Sequence, residues 1–184
     1  IHNNCDIMIF TIGHSTRETS EFIALLKEHG INVIIDVRSV PKSWFVPQYN
    51  KENIEKTLSK NGVIYVFLGD KLGARDWINV LDEDSIDTLK EIEKSKPFKE
   101  GIEKILELEK KHKKVCIMCS EKNPVDCHRG LIISKILYRK NAKILHIIDS
   151  DIKQSQRDIE DILYGELVKK IFKKHKNKSM GVFV

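Results

Sequence analysis

The densest run of reactive side chains in this 184-residue chain is Cys119-Ser120-Glu121-Lys122-Asn123-Pro124-Val125-Asp126-Cys127-His128-Arg129. Deprotonated thiols attack electrophiles or ligate metals, imidazole and carboxylate move protons, and a guanidinium grips phosphate or carboxylate through paired hydrogen bonds. Pro124 ends any strand that precedes it, and Asp126 reads as a helix N-cap. Cys127, His128 and Arg129 are then expected in a first helical turn, where unpaired N–H groups and the helix dipole favour anions and ease thiol ionisation. The helix that follows carries an apolar stripe through Ile132, Ile133, Ile136 and Leu137. Arg129 lies on that stripe by helical spacing, so it is expected over the strand ends, gripping an anion.

Similar residues follow other apolar runs. Gly13-His14-Ser15 ends the first, Asp36-Val37-Arg38 the second, Gly69-Asp70 the third, and His146 and Asp149 mark the fifth. One such ending carries little; four together indicate a polar crevice. The catalytic candidates are Cys119, Glu121, Cys127, His128 and Asp36. The anion-binding candidates are Arg129, Arg38, His14, Ser15 and Ser43. Each group also has a structural reading. Cys116, inside a strand, fits a small core residue. Arg129 also fits a clamp paired with Asp36 or Glu121. His14 could cap a turn, and His146 fits a hydrogen-bonded core histidine. Trp44, Phe45 and Tyr49 could stack on a base or cover the edge of the core.

The elements that would position these residues alternate. Apolar runs at Ile7–Ile12, Ile31–Val37, Val63–Leu68, Val115–Met118 and Lys143–Ile148 read as strands. Helical spacing marks Arg17–His29, with Ser15 or Thr16 as its cap, then Asn50–Asn61 and Phe98–His112. It also marks the stretch from about Asp126 to Lys140, and Gln154–His175. The region Gly69–Pro97 is less legible, with helical turns near Ile86–Ile92. Continuous apolar strands are those buried on both faces, so the expected fold is α/β: a Rossmann-like three-layer sandwich. Its mostly parallel central sheet has about five strands, with helices on both faces. Ligands then bind beyond the carboxyl ends of the strands. A single domain is expected over residues 8–184, including an amphipathic helix and basic tail over 152–184. Residues 1–7 read as an extension.

Composition excludes several classes. With 41% hydrophobic and 32% charged residues the chain is not of the disordered type, and no apolar run reaches membrane-span length. The net charge of +5 is a tail property. Lys169, Lys170, Lys173, Lys174, Lys176 and Lys178 follow Leu167 without an acid, leaving 26 basic against 27 acidic residues elsewhere. The tail fits a solvated helix end better than a phosphate-binding arm. Cys5, Cys116, Cys119 and Cys127 do not form a disulfide framework in a domain this size. With no signal-like start, a reduced, cytoplasmic protein is expected.

In combination, several blocks resemble the domain-of-unknown-function family numbered 488. They are Thr11-Ile12-Gly13-His14-Ser15, Asp36-Val37-Arg38-x-x-Pro41-x-Ser43, Tyr65-x-x-Leu68-Gly69, Leu72-Gly73, Met118-Cys119-Ser120-Glu121, Cys127-His128-Arg129 and Leu145-His146-Ile147. The resemblance spans about Thr11 to Ile148. It implies an α/β fold and a polar site built from these blocks, and it supplies no reaction. Ala74 stands where many relatives have a further glycine.

The function expected first is an enzyme, a hydrolase or transferase with a cysteine nucleophile, acting on an anionic, phosphate-bearing or nucleotide-like substrate. The spacing is not that of a phosphatase loop, since Val125 and not an arginine lies six residues beyond Cys119. A nucleotide or nucleic-acid binding module without catalysis is the alternative, with the Lys-rich C-terminus as a second contact. No cofactor and no membrane partner are expected. A metal at Cys119, Cys127 and His128 stays open, although the eight-residue step is not a finger spacing and adjacent Cys127 and His128 rarely reach one ion. An unliganded network of hydrogen bonds and ion pairs is the remaining reading.

Overall fold

The computed structural model describes residues 7–76, 85–112 and 114–166. The lysine tail and the second half of the expected last helix lie outside these residues, as does most of the N-terminal extension. Strands β1 (Met8–Gly13), β2 (Val33–Asp36), β3 (Ile64–Phe67), β4 (Val115–Cys119) and β5 (Lys143–Ile147) form the five expected runs. They pair in parallel in the order β3-β2-β4-β1-β5. A sixth strand, β6 (Lys153–Ser155), adds antiparallel to β5 at the edge. This corrects the expected helix start at Gln154: the helix begins at 156 and runs to 166, the end of the described chain. Three polar residues give β6 no apolar signature; its pairing with β5 makes it a strand.

Alternate strand residues build two cores. Ile9, Ile35 and Ile117 face helices α4 (Ser85–Lys94), α5 (Lys96–His112) and α6 (Lys135–Arg139) on one side. Phe10, Ile34 and Cys116 face helices α1 (Thr19–Glu28) and α2 (Lys51–Lys60) on the other. A short helix, α3 (Gly69–Leu72), follows β3. Each fully buried aliphatic side chain stabilises this sandwich by about 1.5–3 kcal/mol before entropy is subtracted. The central strands are buried throughout, which is why their sequences are apolar without alternation. Among the described residues no helix is long and apolar enough to cross a membrane.

The connectivity determines where a ligand could bind. The loops leaving β1 and β2 lead to helices on one face, and the loop leaving β4 leads to the other face. Strand β4 lies between β1 and β2, so chain segments diverge on both sides of its carboxyl end. Such divergence opens a crevice in parallel sheets.

Two expected helix starts differ from those observed. Helix α1 begins at Thr19 with Glu18 as its non-bonding cap, and Ser15 takes a left-handed φ of 50° in the turn before it. Asp126 is not an N-cap. The Asn123 side chain accepts from the Val125 N–H and caps a 3-10 turn over Pro124–Asp126. Cys127 is extended, and the chain then enters a π-helical stretch, Arg129–Ser134, before α6.

Candidate active site

The carboxyl ends of β1, β2 and β4 are tied together by backbone hydrogen bonds. The His14 N–H donates to Cys119 O (2.9 Å), Ser15 N–H to Ser120 O (2.8 Å) and Val37 N–H to Met118 O (3.1 Å). Gly13 stands opposite Cys119, and a Cβ there would collide with the Glu121 carbonyl, so glycine lets the β4 loop close over β1. Gly130 serves similarly: a Cβ there would meet the Pro124 carbonyl, so its absence lets the 3-10 turn seat on the π-helical stretch. Both contacts fix the segment that carries Cys119, Cys127 and His128.

Those three side chains converge. His128 Nε2 lies 3.1 Å from Val37 O, an acceptor only, so Nε2 carries the proton and Nδ1 presents a bare lone pair. Nδ1 is 3.7 Å from Cys119 Sγ and 3.9 Å from Cys127 Sγ. Adjacent residues rarely bring their side chains to one point, yet here Cys127 and His128 do. An extended Cys127 followed by a helical His128 turns both side chains toward Cys119. The residues Cys119 and Cys127 are 5% and 3% exposed. The neighbouring Cys119 thiol holds Cys127 well below the usual thiol range; His128 and Arg129 add to this against the cost of burial. The same contact, with burial, pushes Cys119 up. Cys116 faces the opposite core and burial pushes its thiol up, as a core residue requires.

Asp36 and Arg38 hold each other. Asp36 Oδ1 accepts from Arg38 Nε (2.9 Å) and Arg38 N (3.0 Å), and Oδ2 from Arg38 Nη2 (2.6 Å) and the Tyr65 hydroxyl (2.7 Å). Both residues are buried. A carboxylate so fully engaged is a positioning group for Arg38 and has no free lone pair for a substrate proton. Arg38 also donates to Tyr49 O and, through Nη1, to His14 Nε2 at 3.0 Å. His14 Nδ1 donates to Ser15 O (2.8 Å), so its ring is the neutral Nδ1–H tautomer. Burial and the Arg38 charge lower His14 to about 4. Its ring stacks on Tyr49 with centroids 4.2 Å apart, and Tyr49 is fully buried.

Arg129 does something different from the expected anion grip. It is completely buried and spends its donors on Glu121 O (2.6 Å), Lys122 O (2.9 Å) and Thr11 Oγ1 (3.3 Å). It contacts Glu121 through the backbone, and the Glu121 side chain is exposed at the crevice mouth. The network continues inward. Thr11 donates to His146 Nδ1 (2.7 Å), His146 Nε2 donates to Gln156 Oε1 (3.0 Å), and the Gln156 amide donates to Gly130 O (3.3 Å). His146 is thus the hydrogen-bonded core histidine anticipated from its strand, lowered by burial to about 4.

Two adjoining cavities open over these ends. One, about 300 Å³, is lined by Cys119, His128, Arg38 and the exposed Arg75, among others. The other, about 280 Å³, runs from His14 and Ser15 past Lys42 to Ser43 and Phe45. Arg38, Val40 and Ser120 line both. A larger cavity of about 690 Å³ lies at the amino end of β5 and contains no such cluster. Ser43 is a turn former: its hydroxyl accepts from Phe45 N (3.1 Å) and Val46 N (3.4 Å), and its own N–H donates to Asn50 Oδ1 (2.6 Å). Held this way, Trp44 and Phe45 are 91% and 96% exposed, while Tyr49 turns inward.

Sequence reasoning did not single out Arg17, Tyr65 or Gln156. Arg17 is buried and donates to Gly13 O and Ile148 O, bridging the ends of β1 and β5. A basic residue before a helix gives no signal of such a role. Tyr65, on an edge strand, gave only its place in a family block.

The sequence pattern of a family described as "Domain of unknown function DUF488" matches residues 18–136, more than half of the chain. That span holds the β2 and β4 blocks and leaves Gly13-His14-Ser15 and His146 outside. No curated protein and no solved structure matches the chain.

Proposed function

We propose that this chain, which belongs to the DUF488 family, is an enzyme acting on a phosphate-bearing, nucleotide-like substrate, with Cys119, Cys127 and His128 as its reactive centre. The observation that carries this reading is the cavity of about 300 Å³ lined by Cys119, His128, Arg38 and Arg75 together. Reactive side chains and cations lining one cavity, in the crevice of a parallel sheet, suit hydrolysis or group transfer on an anion. The adjoining cavity supports the nucleotide part. Lys42 and the neighbouring Arg38 attract phosphate, Phe45 lines the cavity, and it and the adjacent Trp44 are exposed on a loop pinned by Ser43. Exposed aromatics beside cations are the stacking platforms of single-stranded nucleic-acid and nucleotide sites.

The second reading, a nucleotide-binding module without catalysis, is favoured by one fact: both cysteines are buried. One experiment separates the two. Nucleoside monophosphates, short single-stranded oligonucleotides, ribose phosphate and inorganic phosphate are titrated against the full chain, and those that bind are screened for turnover. Turnover lost in Cys119→Ala with binding retained establishes the enzyme. Binding without turnover in the native chain establishes the module. Inorganic phosphate binding as tightly as a nucleotide removes the base-recognition part, and absence of all binding removes both readings.

A further inference from the structure

We propose that Cys119, Cys127 and His128 bind one zinc ion and leave a fourth coordination position open to the adjoining cavity. This deepens the reading of the cluster as a reactive centre, and rests on that reading only for the use of the open position. The first support is geometric. Zinc with Zn–S of about 2.3 Å and Zn–N of about 2.0–2.1 Å in tetrahedral coordination sets sulfur and nitrogen about 3.6 Å apart. The observed separations are 3.7 and 3.9 Å, and the three ligand atoms lie within 4.8 Å of one another. His128 Nδ1 thus lies close to both sulfurs at once, as a shared ligand set requires.

The second support is the ring's anchoring. His128 Nε2 donates to Val37 O, which fixes the tautomer and aims Nδ1 at the sulfurs. Metal-bound histidines are held in this way by the hydrogen bond of the other nitrogen. Two sulfurs and an imidazole suit zinc and exclude the oxygen-seeking calcium and magnesium. On binding, whatever protons the two sulfurs carry leave to solvent and the metal takes the Nδ1 lone pair, so zinc and two thiolates form a neutral group. Three protein ligands with the fourth place open is the composition of catalytic zinc sites. Cys119 and His128 line the cavity that would deliver a water or substrate to that place.

The test is metal analysis of the full chain purified without chelator, followed by cobalt substitution. The expected result is about one zinc per chain and a sulfur-to-cobalt charge-transfer band. Cys119→Ser, Cys127→Ser and His128→Asn should each weaken zinc by more than about 100-fold, beyond the loss of a hydrogen bond to a ligand. Cys116→Ala, altered on the opposite face of β4, should keep the band. A band that survives in the three ligand variants, iron or copper at the site, or no metal uptake at all overturns the proposal. If those variants do not fold, alkylation of the native chain decides: zinc should protect Cys119 and Cys127, and a chelator should expose them. Unchanged labelling overturns the proposal. Nucleotide titration of the chelated and the zinc-loaded chain keeps the two ideas apart. Nucleotide binding without metal uptake leaves the substrate reading standing and removes zinc; metal uptake without nucleotide binding does the reverse.

Discussion

Arg129 and His128 are neighbours in sequence and use their hydrogen bonds in opposite ways. Arg129 gives its donors to Thr11, Glu121 and Lys122, and the network runs on through His146 and Gln156 back to Gly130. His128 gives one nitrogen to Val37 and turns the other toward two thiols. A network in which each member is engaged holds a shape, and its loss is felt as stability. A lone pair shared between two sulfurs contributes little to stability and is available for a proton, a metal or a substrate. Polar residues at strand ends therefore divide into scaffold and chemistry by what remains unspent.

The largest expected effect breaks the scaffold side. Arg129→Ala should cost about 3–5 kcal/mol in urea unfolding, because it empties a large buried volume and leaves two loop carbonyls without donors. In metal-free protein, His128→Asn should cost about 1 kcal/mol, the worth of one hydrogen bond. Equal losses at the two positions would erase the distinction.

Acid sharpens the same side. His146 is held at about 4 in the fold against 6.5 in the ordinary imidazole. Between those values the unfolded chain binds a proton that the folded chain refuses. The stability present above pH 6.5 is thus lost as pH falls toward 4, at up to about 1.4 kcal/mol per pH unit. Urea midpoints of the native chain and His146→Asn should diverge less as pH falls through that window, since the variant lacks this titration. Parallel curves would show that His146 does not titrate in this way.

Gly13→Ala tests the link between the two regions. Its Cβ would collide with the Glu121 carbonyl that Arg129 also holds. A loss of about 1–3 kcal/mol is expected from overpacking. The displaced loop carries the chain from Cys119 to Cys127, so thiol alkylation rates should rise as well. A stability loss with unchanged thiol reactivity would show the cluster to be positioned independently of the loop.

The sheet was legible because burial on both faces leaves unbroken apolar runs, as in Val33–Ile35 and Val115–Met118. Strand β6 was not, since Lys153, Gln154 and Ser155 are made a strand by pairing with β5 and by no preference of their own. The site was legible as a set of residues and illegible as roles. Cys119, Cys127 and His128 stood out by chemistry, yet their convergence depends on an extended residue before a π-helical turn, which no periodicity announces. Arg129 was placed correctly on the inward stripe. What it grips there is backbone, and carbonyl oxygens are the same in every sequence.

The smallest expected stability effect belongs to the rim of the crevice and concerns the chemistry side alone. Trp44 and Phe45 are 91% and 96% exposed, so replacing either with alanine removes almost no buried area. Stability should stay within about 0.5 kcal/mol of the native chain. If a base stacks on them, nucleotide affinity should fall by about 1–3 kcal/mol per aromatic, while affinity for inorganic phosphate, held by Arg38, Arg75 and Lys42, should hardly change. Isothermal titration with both ligands reads the difference directly. Equal weakening toward phosphate and nucleotide would mean that the aromatics act through the loop that Ser43 pins and make no contact with a base. Unchanged affinity for both would return the rim to ordinary surface and leave the lining cations as the only recognition element of the crevice.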